Sequence, residues 1–71
     1  MRVERPMSEE LETASRYRVH AQELRVIAEQ DRDHETRRLL LKVADDYEHM
    51  AQTLEAIDKT NKAVRTRRNL S

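Results

Sequence analysis

In the second half of this chain, apolar side chains recur at Leu40, Val43, Tyr47, Met50, Leu54 and Ile57, in steps that alternate strictly between three and four. An α-helix turns about 100° per residue, so this spacing lines them along one side of a helix; a half-buried strand would repeat every second residue. Ala44 and Ala51 widen the stripe. The first half carries a similar stripe of Leu11, Ala14, Tyr17, Ala21, Leu24, Ile27 and Ala28. Glycine is absent and Pro6 is the only proline, so the turn residues that β-hairpins rely on are missing. The sequence therefore predicts an all-α fold.

Local signals set the helix boundaries. Ser8 followed by Glu9 and Glu10 reads as a helix start: the hydroxyl accepts from a free backbone N–H, and the acids favour the positive end of the helix dipole. The first helix is expected over about 9–30. The one fully polar break between the stripes is Gln30-Asp31-Arg32-Asp33-His34-Glu35, with Asp33 as the N-cap of a second helix. That helix is expected over about 34–58, fraying onward into the tail. A link this short makes the two helices antiparallel neighbours. The expected organisation is a flexible arm at 1–7, a helical hairpin at 8–58 and a basic C-terminal tail at 59–71. The helices also share a faint pattern at an offset of 23, which aligns Tyr17, Ala21, Leu24, Ile27 and Ala28 with Leu40, Ala44, Tyr47, Met50 and Ala51.

One hairpin cannot cover stripes this wide. Leu39, Leu40 and Leu41 together point over more than half of a helix circumference, and Val19 and Val26 sit seven apart on the side away from the main stripe. With 71 residues, the chain is also below the size at which a single core is comfortably stable. Self-association supplies the missing burial, and two hairpins forming an antiparallel four-helix bundle, a homodimer, is the expected assembly. The expected self-association or partner face comprises Leu11, Tyr17, Ala21, Leu24 and Ile27 of the first helix. From the second it takes Leu39, Leu40, Leu41, Val43, Tyr47, Met50, Leu54 and Ile57. Another helical protein is the other partner such a face suits.

The residue set argues against chemistry. Without cysteine there is no disulfide and no thiolate metal site, which fits a reducing compartment. His20 with Glu23, and Asp46 with His49, have the three-residue spacing of bundle metal motifs. With Ala21 and Leu24 turned inward, however, Glu23 faces out and His20 lies at the edge; with Tyr47 and Met50 inward, His49 turns out. No metal site and no cofactor are expected. No nucleophile–base set or phosphate-binding glycine loop is present, so no enzyme is expected. Arg18, Arg25, Arg37 and Arg38 could line an anion pocket between the helices, but pairing with acids along their own helix is the plainer expectation, with Glu29 four residues beyond Arg25. Tyr17 and Tyr47, the two aromatics, read as large core residues with hydroxyls at the rim. The N-terminal residues lack the apolar core of a signal peptide, and no run of eighteen apolar residues occurs, so a cytoplasmic protein without a membrane span is expected.

Charge is divided unevenly. Residues 1–58 carry a balance of −5 and residues 59–71 a balance of +5, from Lys59, Lys62, Arg65, Arg67 and Arg68 with no acid. Such a tail can bind nucleic-acid phosphates in a salt-sensitive, sequence-independent way, although the acidic body repels the same ligand and no aromatics interleave the charges. Basic residues at a helix C-terminus also favour the dipole and solubility, and they can meet the acidic body or a protein partner.

The run Tyr17, Arg18, Ala21, Glu23, Leu24, Arg25, Ile27, Ala28, then Arg37, Arg38, Leu40, Leu41, Val43, Ala44, Asp46, Tyr47, Glu48, Met50, Ala51 resembles the pattern of a set of small alphaproteobacterial two-helix proteins with no established activity. That set often has Asp-Pro-Glu in the turn; here Asp33-His34-Glu35 replaces the proline, and His34 still stands at the first helical position. The resemblance covers about half of the chain, implies a two-helix unit and names no site. Rop-like RNA-binding dimers share the expected architecture, a parallel of fold only. Two functions follow as expectations: a non-catalytic protein–protein interaction module that self-associates through its helix faces, and, as the alternative, a nucleic-acid-associated regulator acting through the basic tail.

Overall fold

A computed structural model describes residues 8–70, with side chains over 8–67. The arm at 1–7 and the side chain of Arg68 lie outside the described residues. Two helices form the fold: α1, Glu9–Gln30, and α2, His34–Leu70. They pack against each other as an antiparallel hairpin whose Cα atoms span 58 × 29 × 10 Å, a single helical layer.

Both expected N-caps are in place. The Ser8 hydroxyl oxygen accepts from the Leu11 N–H at 3.1 Å. Asp33 accepts from the Glu35 N–H at 3.3 Å and from the Thr36 hydroxyl at 2.8 Å, while its carbonyl accepts the Arg37 N–H. Each cap satisfies N–H groups that the first helical turn leaves open. Arg37 closes the turn from the other side. Its guanidinium donates to the carbonyls of Ala28 at 3.1 Å and Asp31 at 3.0 Å, which tethers the last turn of α1 to the first turn of α2.

α2 continues well beyond residue 58. The change of charge at Lys59 is a change of composition, not a helix stop: 59–70 contains no glycine or proline, and its lysines and arginines suit the negative end of the dipole. Because α1 starts at Glu9, level with Asp58, α2 projects past it for about 18 Å at 1.5 Å per residue. Residues 59–67 are exposed throughout.

The contact between the helices is made of alanine. Ala14, Ala21 and Ala28 on α1, with Ala44 and Ala51 on α2, are each at most 1% exposed and are the whole buried apolar set among the described residues. They recur every seven residues on each helix, forming one line of small side chains. After glycine, which this chain lacks, alanine places the least bulk between two backbones, so such a line draws the axes toward the short end of the ~8–10 Å range. Ala44 and Ala51 were expected to widen the α2 stripe; they stand at its centre, as Ala14, Ala21 and Ala28 do on α1. The seam ends at Asp58, 6% exposed, which takes the position that Ala28 holds on α1. Burial repeats without a mismatch between 14–30 and 44–60. At that offset of 30, Ala14, Tyr17, Ala21, Gln22, Leu24 and Ile27 meet identical residues at 44, 47, 51, 52, 54 and 57. The offset of 23 overlays the same faces one heptad out of step.

Candidate interaction surface

With alanine in the seam, residues three and four positions after each alanine stand on opposite flanks. Three after Ala14, Ala21, Ala44 and Ala51 come Tyr17, Leu24, Tyr47 and Leu54; four after come Arg18, Arg25, Glu48 and Glu55. The hairpin is thus a thin slab with one apolar face and one charged face.

The charged face is a zigzag of ion pairs across the helices. Arg25 reaches Glu48 at 3.1 Å and Asp45 at 3.6 Å. Glu48 also accepts from Arg18 at 3.3 Å, and Arg18 continues to Glu55 through both of its terminal nitrogens. Hydrogen bonds to Glu55 and then Glu48 raise Arg18 above its ordinary value against desolvation. The Arg25 hydrogen bond, followed by that of Arg18, holds the Glu48 carboxylate below its usual range, and Arg18 does the same for Glu55. Arg25 was expected to pair along its own helix with Glu29. It meets Gln22 and the α2 carboxylates instead, because its position beside the seam aims it across the gap. No anion pocket forms from Arg18, Arg25 and Arg37: the first two meet carboxylates and the third meets backbone carbonyls.

At the end of the seam, Asp58 pairs with Lys62 at 3.2 Å. The Ser8 hydroxyl, followed by Lys62, holds the Asp58 carboxylate below the usual range.

The opposite face is apolar and open. Tyr17 and Tyr47 meet across the seam with ring centroids 5.5 Å apart, and His20 lies 5.7 Å from the Tyr47 ring. Tyr17, Leu24, Leu40, Val43, Tyr47 and Leu54 are half-buried, and no large side chain among the described residues is fully buried. Farther out on the same side, Ile27, Met50 and Ile57 are 50%, 41% and 42% exposed. Val64 continues the Met50–Ile57 line onto the overhang.

Nine of the thirteen expected face residues come together here. The other four do not. Ala21 is sealed in the seam; Leu11 and Leu41 lie one heptad from Arg18 and Glu48, on the charged flank; Leu39 points outward at 62% exposure. Val19 and Val26, each 53% exposed, lie on the outer side of α1. His20 contacts Glu23 at 3.3 Å with both side chains exposed, His49 is exposed, and no group of three metal-ligating residues occurs among the described residues. Lys59, Lys62, Arg65 and Arg67 stand on the overhang. No described helix is long and apolar enough to cross a membrane.

Comparison with known protein families, curated proteins and solved structures finds no match to this chain.

Proposed function

We propose that this chain is a non-catalytic interaction module in which two copies close their apolar faces on each other as a four-helix bundle. The observation that carries this reading is the distribution of burial: the hairpin consumes only alanines and Asp58 in its own seam and leaves Tyr17, Leu24, Leu40, Tyr47 and Leu54 half covered on one face. A tyrosine or leucine gains about 1.5–3 kcal/mol from complete burial, so a face of this kind favours association strongly. The opposite face has its charges paired within the hairpin and offers a partner much less. Sedimentation equilibrium over a wide concentration range tests the reading; a species of twice the 8.5 kDa chain mass supports it, and a monomer at high micromolar concentration rejects it.

The second reading is a nucleic-acid-associated regulator, favoured by the exposed helical overhang with Lys59, Lys62, Arg65 and Arg67. It predicts duplex binding that weakens steeply with salt and is lost on truncation after Asp58.

A further inference from the structure

The two ends of the hairpin carry opposite charge, and this selects how a second copy sits. Residues 59–70 of α2 contribute five basic side chains and no acid. The turn at the other end has Glu29, Asp31, Asp33 and Glu35 against Arg32, Arg37 and Arg38, a balance of −1 over residues 29–38 with His34 neutral, and Arg37 is turned onto the backbone carbonyls of Ala28 and Asp31. Two face-to-face hairpins related by a two-fold axis can be arranged in two ways. With the axis along the helices, both overhangs leave the bundle at one end, and ten basic residues crowd together. With the axis across the helices, α2 crosses α2 of the second copy and the overhangs leave at opposite ends.

Lengths favour the second arrangement as well. The apolar face is centred near Tyr47, where the Tyr17, His20 and Tyr47 rings meet. At 1.5 Å per residue the overhang lies about 18–35 Å from that level, and the turn lies about 20–25 Å from it in the other direction. Centring the faces on each other therefore lays the basic overhang of one copy beside the acidic turn of the other. Val64 then carries the apolar line over that turn.

Resting on the self-association reading, we propose that the occupant of the apolar face is a second copy in this antiparallel sense, with each basic overhang docked against the partner's acidic turn. The contact gives the overhang a role that needs no further ligand, and like-charge repulsion rejects the other orientation.

The chain has no cysteine, so Thr60→Cys, on an exposed overhang position, provides a single spin-label site. In the proposed dimer the two labels sit about 40 Å apart along the bundle, against less than about 25 Å when the overhangs share one end. Sedimentation then compares wild type with Lys59→Glu/Arg65→Glu, which keeps the helix. The expected result is the long distance, a roughly tenfold weaker dimer in the charge-reversed variant, and recovery when Glu29→Lys/Glu35→Lys is added. A short distance overturns the orientation. An unchanged dimer constant in the charge-reversed variant overturns the overhang–turn contact while leaving self-association standing. A wild-type chain of monomeric mass removes both this inference and the reading beneath it.

Discussion

Ala51→Leu is the sharpest probe of how the hairpin is held. Ala51 has no exposed surface and sits in the line of methyl groups between α1 and α2. Leucine has a slightly lower helix propensity than alanine, so the isolated helix barely notices the change. In the seam, the three added carbons have nowhere to go unless the helices separate. Overpacking of this kind costs about 1–3 kcal/mol. Separation would also lengthen the Arg18–Glu48 and Arg18–Glu55 contacts that flank the seam, which places the effect toward the upper end. For a domain of this size, 1 kcal/mol moves Tm by about 4–8 °C, so a fall of roughly 10–20 °C is expected. Thermal unfolding followed by far-ultraviolet circular dichroism reads it, with all chains at one concentration because the Tm of an associating chain depends on concentration. Gln52→Leu, one residue along and exposed, is the control and should shift Tm little. An Ala51→Leu chain that melts with the wild type would refute an alanine-closed contact.

Other consequences follow from the same geometry. Arg37→Ala removes the donor to the Ala28 and Asp31 carbonyls; a loss of about 1–3 kcal/mol is expected, with faster amide exchange in the last turn of α1. Glu48, Glu55 and Asp58 are all held below the usual carboxylate range in the folded chain, so their contribution is present above the unfolded value of roughly 4.3 for Glu and 3.9 for Asp. It is lost as pH falls through the lower folded values; Tm should be flat with respect to these groups above about pH 5 and drop below about pH 4, and Glu48→Gln/Glu55→Gln should flatten that drop. Ser8→Ala removes the α1 cap, so it should cost the ~1 kcal/mol typical of a cap and lower Tm by about 4–8 °C, measured by the same melting assay.

Much of this architecture is legible in the residues, and the reasons it stops being so are physical. The alternation of three and four steps specifies each helix, and Ser8 and Asp33 fix both starts, because caps and periodicity act within a few residues. What a single helix cannot reveal is which part of a wide stripe meets its neighbour. Large residues at 40, 47 and 54 dominate the stripe, yet the alanines beside them take the seam, since small residues permit the closest approach. The charged zigzag joins residues 20 to 37 apart, beyond the reach of the i,i+4 spacing that pairs charges along one helix. A signal for it was present: at the offset of 30, Arg18 and Arg25 align with Glu48 and Glu55, complementary signs at equivalent positions. The helical overhang was obscured by its charge, which marks a change of surroundings without ending the backbone hydrogen bonds.

The central claim is that the Tyr17–Tyr47 face is covered by a second copy, and face-specific disruption of the sedimentation behaviour tests it most directly. Met50 and Val26 are similarly exposed in the hairpin, at 41% and 53%, but they lie on different sides of it. Glutamate at either position therefore disturbs the hairpin itself little. The account predicts that Met50→Glu sediments as a monomer at concentrations where the wild type and Val26→Glu are dimers. A Met50→Glu chain that dimerises as tightly as the wild type, or a Val26→Glu chain that alone falls to monomer, would contradict it.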